Sequence, residues 1–181
     1  MARQALAIDE RRGFFLPALW SPKPPAQPDS GPRDLKQVWF AGCHGDVGGG
    51  YPNAESGLSQ CAFRWMLGEA SQHGLLISPR LYHIVIGHTL KDRAGPDPNG
   101  PRHNSMKWPW QLAECIPRRL YDPARRALRW RINLFRRRRI PAGALVHMSV
   151  FQRLGYINSC PNFPKQPVQV HDQPVVGVDC D

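Results

Sequence analysis

The chain has 181 residues, 24 of them lysine or arginine against 14 acids, and a net charge of +10, so it is long enough for one compact domain and strongly basic. Its 16 glycines and 19 prolines imply long irregular connections but fall short of a disordered composition, and no apolar run approaches a membrane span. The five cysteines are widely spaced, odd in number and without a Cys-x-x-Cys pair, which argues against a fully paired disulfide framework and carries no metal signal; reduced thiols, no cofactor and synthesis in the cytoplasm are expected.

Residues 4–12 read as a short helix with a charged face, in which Asp9 pairs with nearby arginines. With the following connection this helix makes up residues 1–20. Residues 21–35 read as an exposed loop, because Pro22, Pro24, Pro25, Pro28 and Pro32 deny the backbone both helix and ladder hydrogen bonds.

Residues 36–74 carry the chemistry. In VWFAGCHGDVGGGY, residues 38–51, an apolar strand runs straight into His44 and a glycine-rich turn. The carboxyl end of a strand is where open α/β sheets bind ligands, and Gly48, Gly49 and Gly50 let the backbone fold tightly there. His44 is therefore the candidate catalytic residue. Asp46 either holds the backbone N–H groups of the turn or orients His44. A nucleotide-binding P-loop is excluded, since no Gly-Lys-Ser/Thr follows, and a metal centre on His44 and Asp46 lacks identifiable further ligands. The next helix has Ser59 as its N-cap, an apolar stripe of Leu58, Ala62, Trp65, Met66 and Ala70, Gly74 as its stop and Leu75 as the apolar contact beyond.

Residues 75–181 form a C-terminal extension. Residues 81–86 and 144–150 read as two further strands, and residues 168–178 as an edge strand interrupted by Pro174. His83, His88 and His147 read as core or edge histidines, whereas His103 lies in a polar loop and is a candidate for a substrate mouth. Few strands are readable, so sheet edges are expected to be open.

A basic segment spans residues 118–139, with ten arginines and a single acid, Asp122, and it accounts for nearly all of the net charge. Trp108, Trp110 and Trp130 lie beside Arg118, Arg119, Arg125, Arg126, Arg136 and Arg137. Rings beside cations suit the headgroup level of a phospholipid membrane, and the same pattern serves nucleic acid, the less favoured partner. A merely solvated helix of arginines is the third reading.

The segment at 38–51, with Gly57-Leu58-Ser59 and AFRWML at 62–67, resembles the histidine region of the type VI secretion phospholipase effector family. ALAIDERR at 5–12 with Phe15 and Leu19-Trp20 resembles that family's upstream block, and VHMSV at 146–150 with Arg153 and Pro161-Asn162-Phe163-Pro164 its terminal block. The resemblance implies an α/β-hydrolase fold, cleavage of phospholipid esters by a Ser, Asp, His triad, and export without a cleaved signal peptide.

One departure is decisive: the chain contains no Gly-x-Ser-x-Gly, and in such folds the nucleophile precedes the acid and the histidine. The expectation is a C-terminal portion of the hydrolase fold, inactive alone, that supplies His44 to an N-terminal hydrolase half or meets a secretion-apparatus protein. The alternative is a non-catalytic module that binds anionic membrane or nucleic acid through its arginines.

Overall fold

A computed structural model describes residues 1–20, 34–86, 94–122 and 127–178. In chain order these form β1 (Ala2–Ala7), β2 (Leu35–Phe40), α1 (His44–Gly48), α2 (Gly57–Ser71), α3 (Pro79–Ile86), α4 (Trp108–Glu114), β3 (Arg118–Asp122), β4 (Ala127–Arg131), β5 (Leu145–His147), α5 (Met148–Gln152), α6 (Tyr156–Ser159) and β6 (Val168–Val170). The class is α/β. Strands β1, β2, β5 and β6 make one parallel sheet in that order, and β3 and β4 an antiparallel hairpin.

Both faces of the parallel sheet are covered, and only the carboxyl halves of β1 and β2, residues 5–7 and 38–40, are apolar without alternation. On one face Leu6, Ile8, Trp39 and Val146 pack with Val150, Tyr156 and the ring of Phe163. On the other, Ala7, Val38 and Phe40 pack against Val47 of α1 and Ala62 and Trp65 of α2. Register sets this division: Leu6 stands opposite Trp39 and Ala7 opposite Phe40, so alternate residues feed alternate layers.

Residues 4–12 are not helical, contrary to expectation. Alanine, arginine, glutamine and leucine favour a helix locally, yet six residues pair in register with β2, and tertiary pairing overrides the propensity. Residues 81–86 are likewise corrected, from strand to helix: Pro79 sits in the first turn, Tyr82 N–H bonds the Ser78 carbonyl 2.9 Å away, and Ser78 Oγ lies 3.5 Å from the Leu81 N–H. His83 therefore lies on a helix, and His88 lies outside the described residues.

Other boundaries shift. Strand β2 already includes Leu35, which the loop reading had claimed, and it is not the last strand, since β5 and β6 follow it. Most of the proline-rich segment, residues 21–33, lies outside the described residues. Ser59 sits inside α2, which begins beyond Ser56. Its far end closes as read, with Gly74 at φ 92°, its N–H on the Ser71 carbonyl, and the Leu75 N–H reaching back to Ala70. Leu75 itself stays exposed. The run at 144–150 divides into β5 and α5, and the tail keeps only three residues of strand as β6.

Along α2 the tail is tied down by backbone as well as charge. Arg64 bonds Asp172 at 2.5 Å, Gln72 Nε2 donates to the Pro174 carbonyl at 2.8 Å, and Ser71 Oγ accepts the Val176 N–H at 3.2 Å. Gly68 lets this happen, since a Cβ there would lie 2.4 Å from the Gln173 carbonyl oxygen.

Candidate active site

Beyond the end of β2 the chain turns at Gly42, whose φ of 105° is closed to ordinary side chains. His44 then opens α1 instead of lying in an extended glycine loop. Asp46 fixes that helix start: its Oδ2 accepts the Cys43 N–H at 2.8 Å and the His103 N–H at 3.1 Å. Oδ1 is 2.6 Å from His103 Nδ1, and His103 Nε2 is 2.8 Å from Glu55. Of the two roles open to Asp46, the geometry supports backbone capping; its side-chain partner is His103, not His44.

His44 is exposed and lines a cleft of about 830 Å³. Its backbone N–H donates to Glu10 Oε2 at 3.0 Å, and its ring lies 4.9 Å from that of Phe15. No hydrogen bond holds its ring nitrogens among the described residues. Phe15 is fixed in turn by Trp110 edge-on at 5.7 Å and by the Arg12 guanidinium 3.9 Å above its centroid.

Glu10, 1 % exposed, organises this corner. It pairs with Arg12 at 2.8 Å and accepts from Ser105 Oγ and the backbone of Arg11, Arg12 and His44. Burial alone would raise its pKa, but the hydrogen bonds from Arg12 and His44 outweigh that and bring it to about 2. Asp9 takes a different place: it accepts from Gly42 N–H and the Tyr156 hydroxyl, both at 2.8 Å, and meets Arg102 at 3.4 Å. Neither carboxylate touches the His44 ring.

The cleft runs along the outer edge of β1, from Arg3 to Ala7, with Ala62, Phe63 and Met66 of α2 on its wall. Among the described residues no strand pairs with that edge. Gly48, Gly49 and Gly50 are exposed and line the cleft near His44.

A second cluster has triad-like composition. His147 Nε2 is 3.1 Å from Asp172, and its Nδ1 accepts the Ser149 N–H at 3.2 Å with Ser149 Oγ at 2.9 Å. The ring is 2 % exposed, stacked on Phe40, and turned with Nε2 rather than Nδ1 to the acid, opposite to a serine-hydrolase histidine. It caps α5 and joins β5 to the tail.

The described residues of the basic segment form the antiparallel pair β3–β4 and an irregular stretch with a turn at Leu134 and Phe135, not a helix. Arg119 faces Trp130 across the hairpin at 5.2 Å, and Trp108, Trp130, Arg136 and Arg137 are exposed. Trp110 and Arg118 turn inward to the Phe14 and Phe15 rings, and Arg118 also meets Glu114 at 3.4 Å. Arg125 and Arg126 lie outside the described residues. Arg138, within the same arginine run, is buried.

Residues 1–69 match the family described as T6SS phospholipase effector Tle1-like, catalytic domain. The matched segment contains β1, Glu10, Phe15, β2, His44, Asp46 and nearly all of α2. A 60-residue stretch is 42% identical to the uncharacterized protein YEL023C of Saccharomyces cerevisiae, covering 31% of this chain and 9% of that protein. No solved structure matches. Glu10, Phe15, Gln60 and Arg138 were not singled out as site residues by sequence; Glu10 and Phe15 were at least present in the block that resembles the family, whereas nothing distinguishes Arg138 from three neighbouring arginines.

Proposed function

We propose that this chain is the histidine-bearing, C-terminal portion of an α/β-hydrolase-type phospholipase, with His44 as the general base. The observation that carries this reading is an exposed imidazole, free of hydrogen-bond partners among the described residues, facing a cleft beside an unpaired edge of a parallel sheet. The Tle1-like match over residues 1–69 supports the substrate class. A nucleophilic serine comes from another polypeptide segment, because none here stands in a Gly-x-Ser-x-Gly elbow.

In the assembled site His44 takes the proton from the attacking serine hydroxyl and returns it to the leaving alcohol. Glu10, through the His44 N–H, and Phe15, against the ring, position the imidazole without touching substrate. The acid that orients the ring's second nitrogen arrives with the serine. Exposed Trp108, Trp130, Arg136 and Arg137 hold the assembly on an anionic phospholipid surface.

The test is a chimera in which this chain replaces the matching region of a full-length Tle1-like phospholipase. It should cleave phospholipid vesicles, and His44→Ala should lower turnover by roughly a millionfold, the loss seen when a triad member is removed. The isolated chain should resist labelling by a fluorophosphonate. Near-normal turnover of the His44→Ala chimera overturns the reading, and an inactive chimera with intact vesicle binding favours a non-catalytic membrane module.

A further inference from the structure

Arg138 is 7 % exposed, yet among the described residues no carboxylate forms a hydrogen bond or ion pair with its guanidinium. Its Nη1 donates to the Ala7 carbonyl at 2.7 Å and its Nη2 to the Phe15 carbonyl. Two of the five N–H donors on the guanidinium are thereby used, and the side chain lines the cleft. Carbonyl dipoles hold the group in place, and the Glu10 charge offsets its positive charge only in part, which is costly in a buried position. Burial accordingly lowers its pKa to about 10, with the Glu10 charge opposing that shift.

The location is as informative as the charge. Ala7 ends β1, and Phe15 supplies both the carbonyl that binds Arg138 and the ring that packs on His44. Arg138 and His44 thus share one end of the cleft. Gln60 is 5 % exposed with an Oε1 that has no partner among the described residues, and the partly buried Gln4 has a second such Oε1. Both glutamines line the same cleft. A buried acceptor without a donor is expensive, so two such acceptors call for a ligand bearing O–H or N–H groups.

We infer that the cleft holds a phosphodiester headgroup, with Arg138 receiving the phosphate and Gln60 accepting a hydrogen bond from a headgroup hydroxyl or ammonium. The ligand's lipid identity rests on the phospholipase reading; the anion subsite does not. Planar guanidinium geometry suits a phosphate oxygen pair, and the low-polarity surroundings strengthen the contact. Because Arg138 and His44 both abut Phe15, a phosphate seated there would bring the neighbouring acyl ester toward the imidazole.

The experiment uses the whole chain, isotope-labelled, titrated with soluble dihexanoyl lipids below their micellar concentrations and read by the amide signals of Ala5, Phe15 and Gly49. Dihexanoyl phosphatidylglycerol should shift these signals, whereas dihexanoylglycerol, which lacks the phosphate, should bind roughly tenfold to a hundredfold more weakly. Arg138→Gln should erase that difference, Arg138→Lys should keep part of it, and Arg80→Ala, an exposed cation on α3 outside the cleft lining, should leave it unchanged. Gln60→Met should remove a preference for phosphatidylglycerol over phosphatidylcholine, whose headgroup has no donor.

If Arg138→Gln does not fold, the side-chain Nε signal of Arg138 in the unaltered chain decides: it should move with phosphatidylglycerol and stay still with dihexanoylglycerol. Equal binding of the two lipids, or a motionless Arg138 signal, overturns the subsite. Inorganic phosphate shifting the Arg138 signal while no lipid does so supports the subsite and removes the phospholipid assignment.

Discussion

Asp46 gives its carboxylate to His103, 2.6 Å from Nδ1, and leaves His44 two residues away without it. Glu55 approaches the other ring nitrogen at 2.8 Å, and Tyr51 stacks on the ring at 3.5 Å between centroids. With an acceptor at each nitrogen, both must carry protons, so His103 is an imidazolium clamp that pins the loop before α4 onto the first turn of α1.

That clamp has a pH signature. Burial lowers the His103 pKa, but hydrogen bonds and charge from Asp46 and Glu55 raise it further, so the folded value lies above the ordinary 6.5. Its stabilising contribution is complete below pH 6.5 or so and is lost as pH rises through the higher folded value. Thermal melts from pH 5.5 to 9 should show the unaltered chain losing Tm relative to His103→Asn as pH rises. Parallel profiles for the two proteins would refute the clamp.

Glu10 behaves oppositely. Its folded pKa of about 2 lies below the ordinary 4.5, so its contribution is complete above pH 4.5 and disappears as pH falls through 2. The shift corresponds to about 3 kcal/mol. Acid titration followed by circular dichroism should show Glu10→Gln beginning less stable by about that amount at pH 7 and converging with the unaltered chain near pH 2. The His44 amide resonance should also move in Glu10→Gln, since its N–H loses a charged acceptor.

Gly68→Ala tests how the tail is fastened. Its Cβ would stand 2.4 Å from a backbone oxygen at Gln173, and neither α2 nor the tail yields cheaply. A loss of about 1–3 kcal/mol in denaturant unfolding is expected. Faster hydrogen exchange at Val176, whose N–H reaches Ser71, would show the tail lifting; unchanged exchange would place the strain elsewhere.

The exposed cations should act on membranes in proportion to their number. Arg136→Ala/Arg137→Ala removes about 2 kcal/mol of attraction to an anionic surface, a drop of about thirtyfold in binding to phosphatidylglycerol vesicles at low salt. Trp130→Ala should weaken binding further by removing an interfacial ring. Competition by duplex DNA, with no vesicle binding, would instead assign the segment to nucleic acid.

Strand β2, the helix after it and the stop at Gly74 were legible because each is written in local pattern: a continuous apolar run, a 3.6-residue stripe and a glycine with nothing to replace it. Strand β1 was not, since its six residues favour a helix and become a strand only through β2. The hairpin of the basic segment was equally hidden, because arginine-rich sequence has little pattern of either period. Helix α3 was hidden by its β-branched residues Ile84, Val85 and Ile86, which point to a strand.

Sequence alone determined that an apolar strand delivers His44 into a glycine-rich turn, that positive charge is concentrated in one stretch, and that no nucleophile elbow is present, since these are matters of residue type and spacing. Tertiary structure alone decided which acid meets which histidine, that one of four consecutive arginines points inward, and that the edge of β1 stands open beside the cleft. Such pairings join residues distant in the chain, Arg138 and Ala7 being 131 positions apart, and no local preference encodes a contact that only the folded chain brings within hydrogen-bond reach.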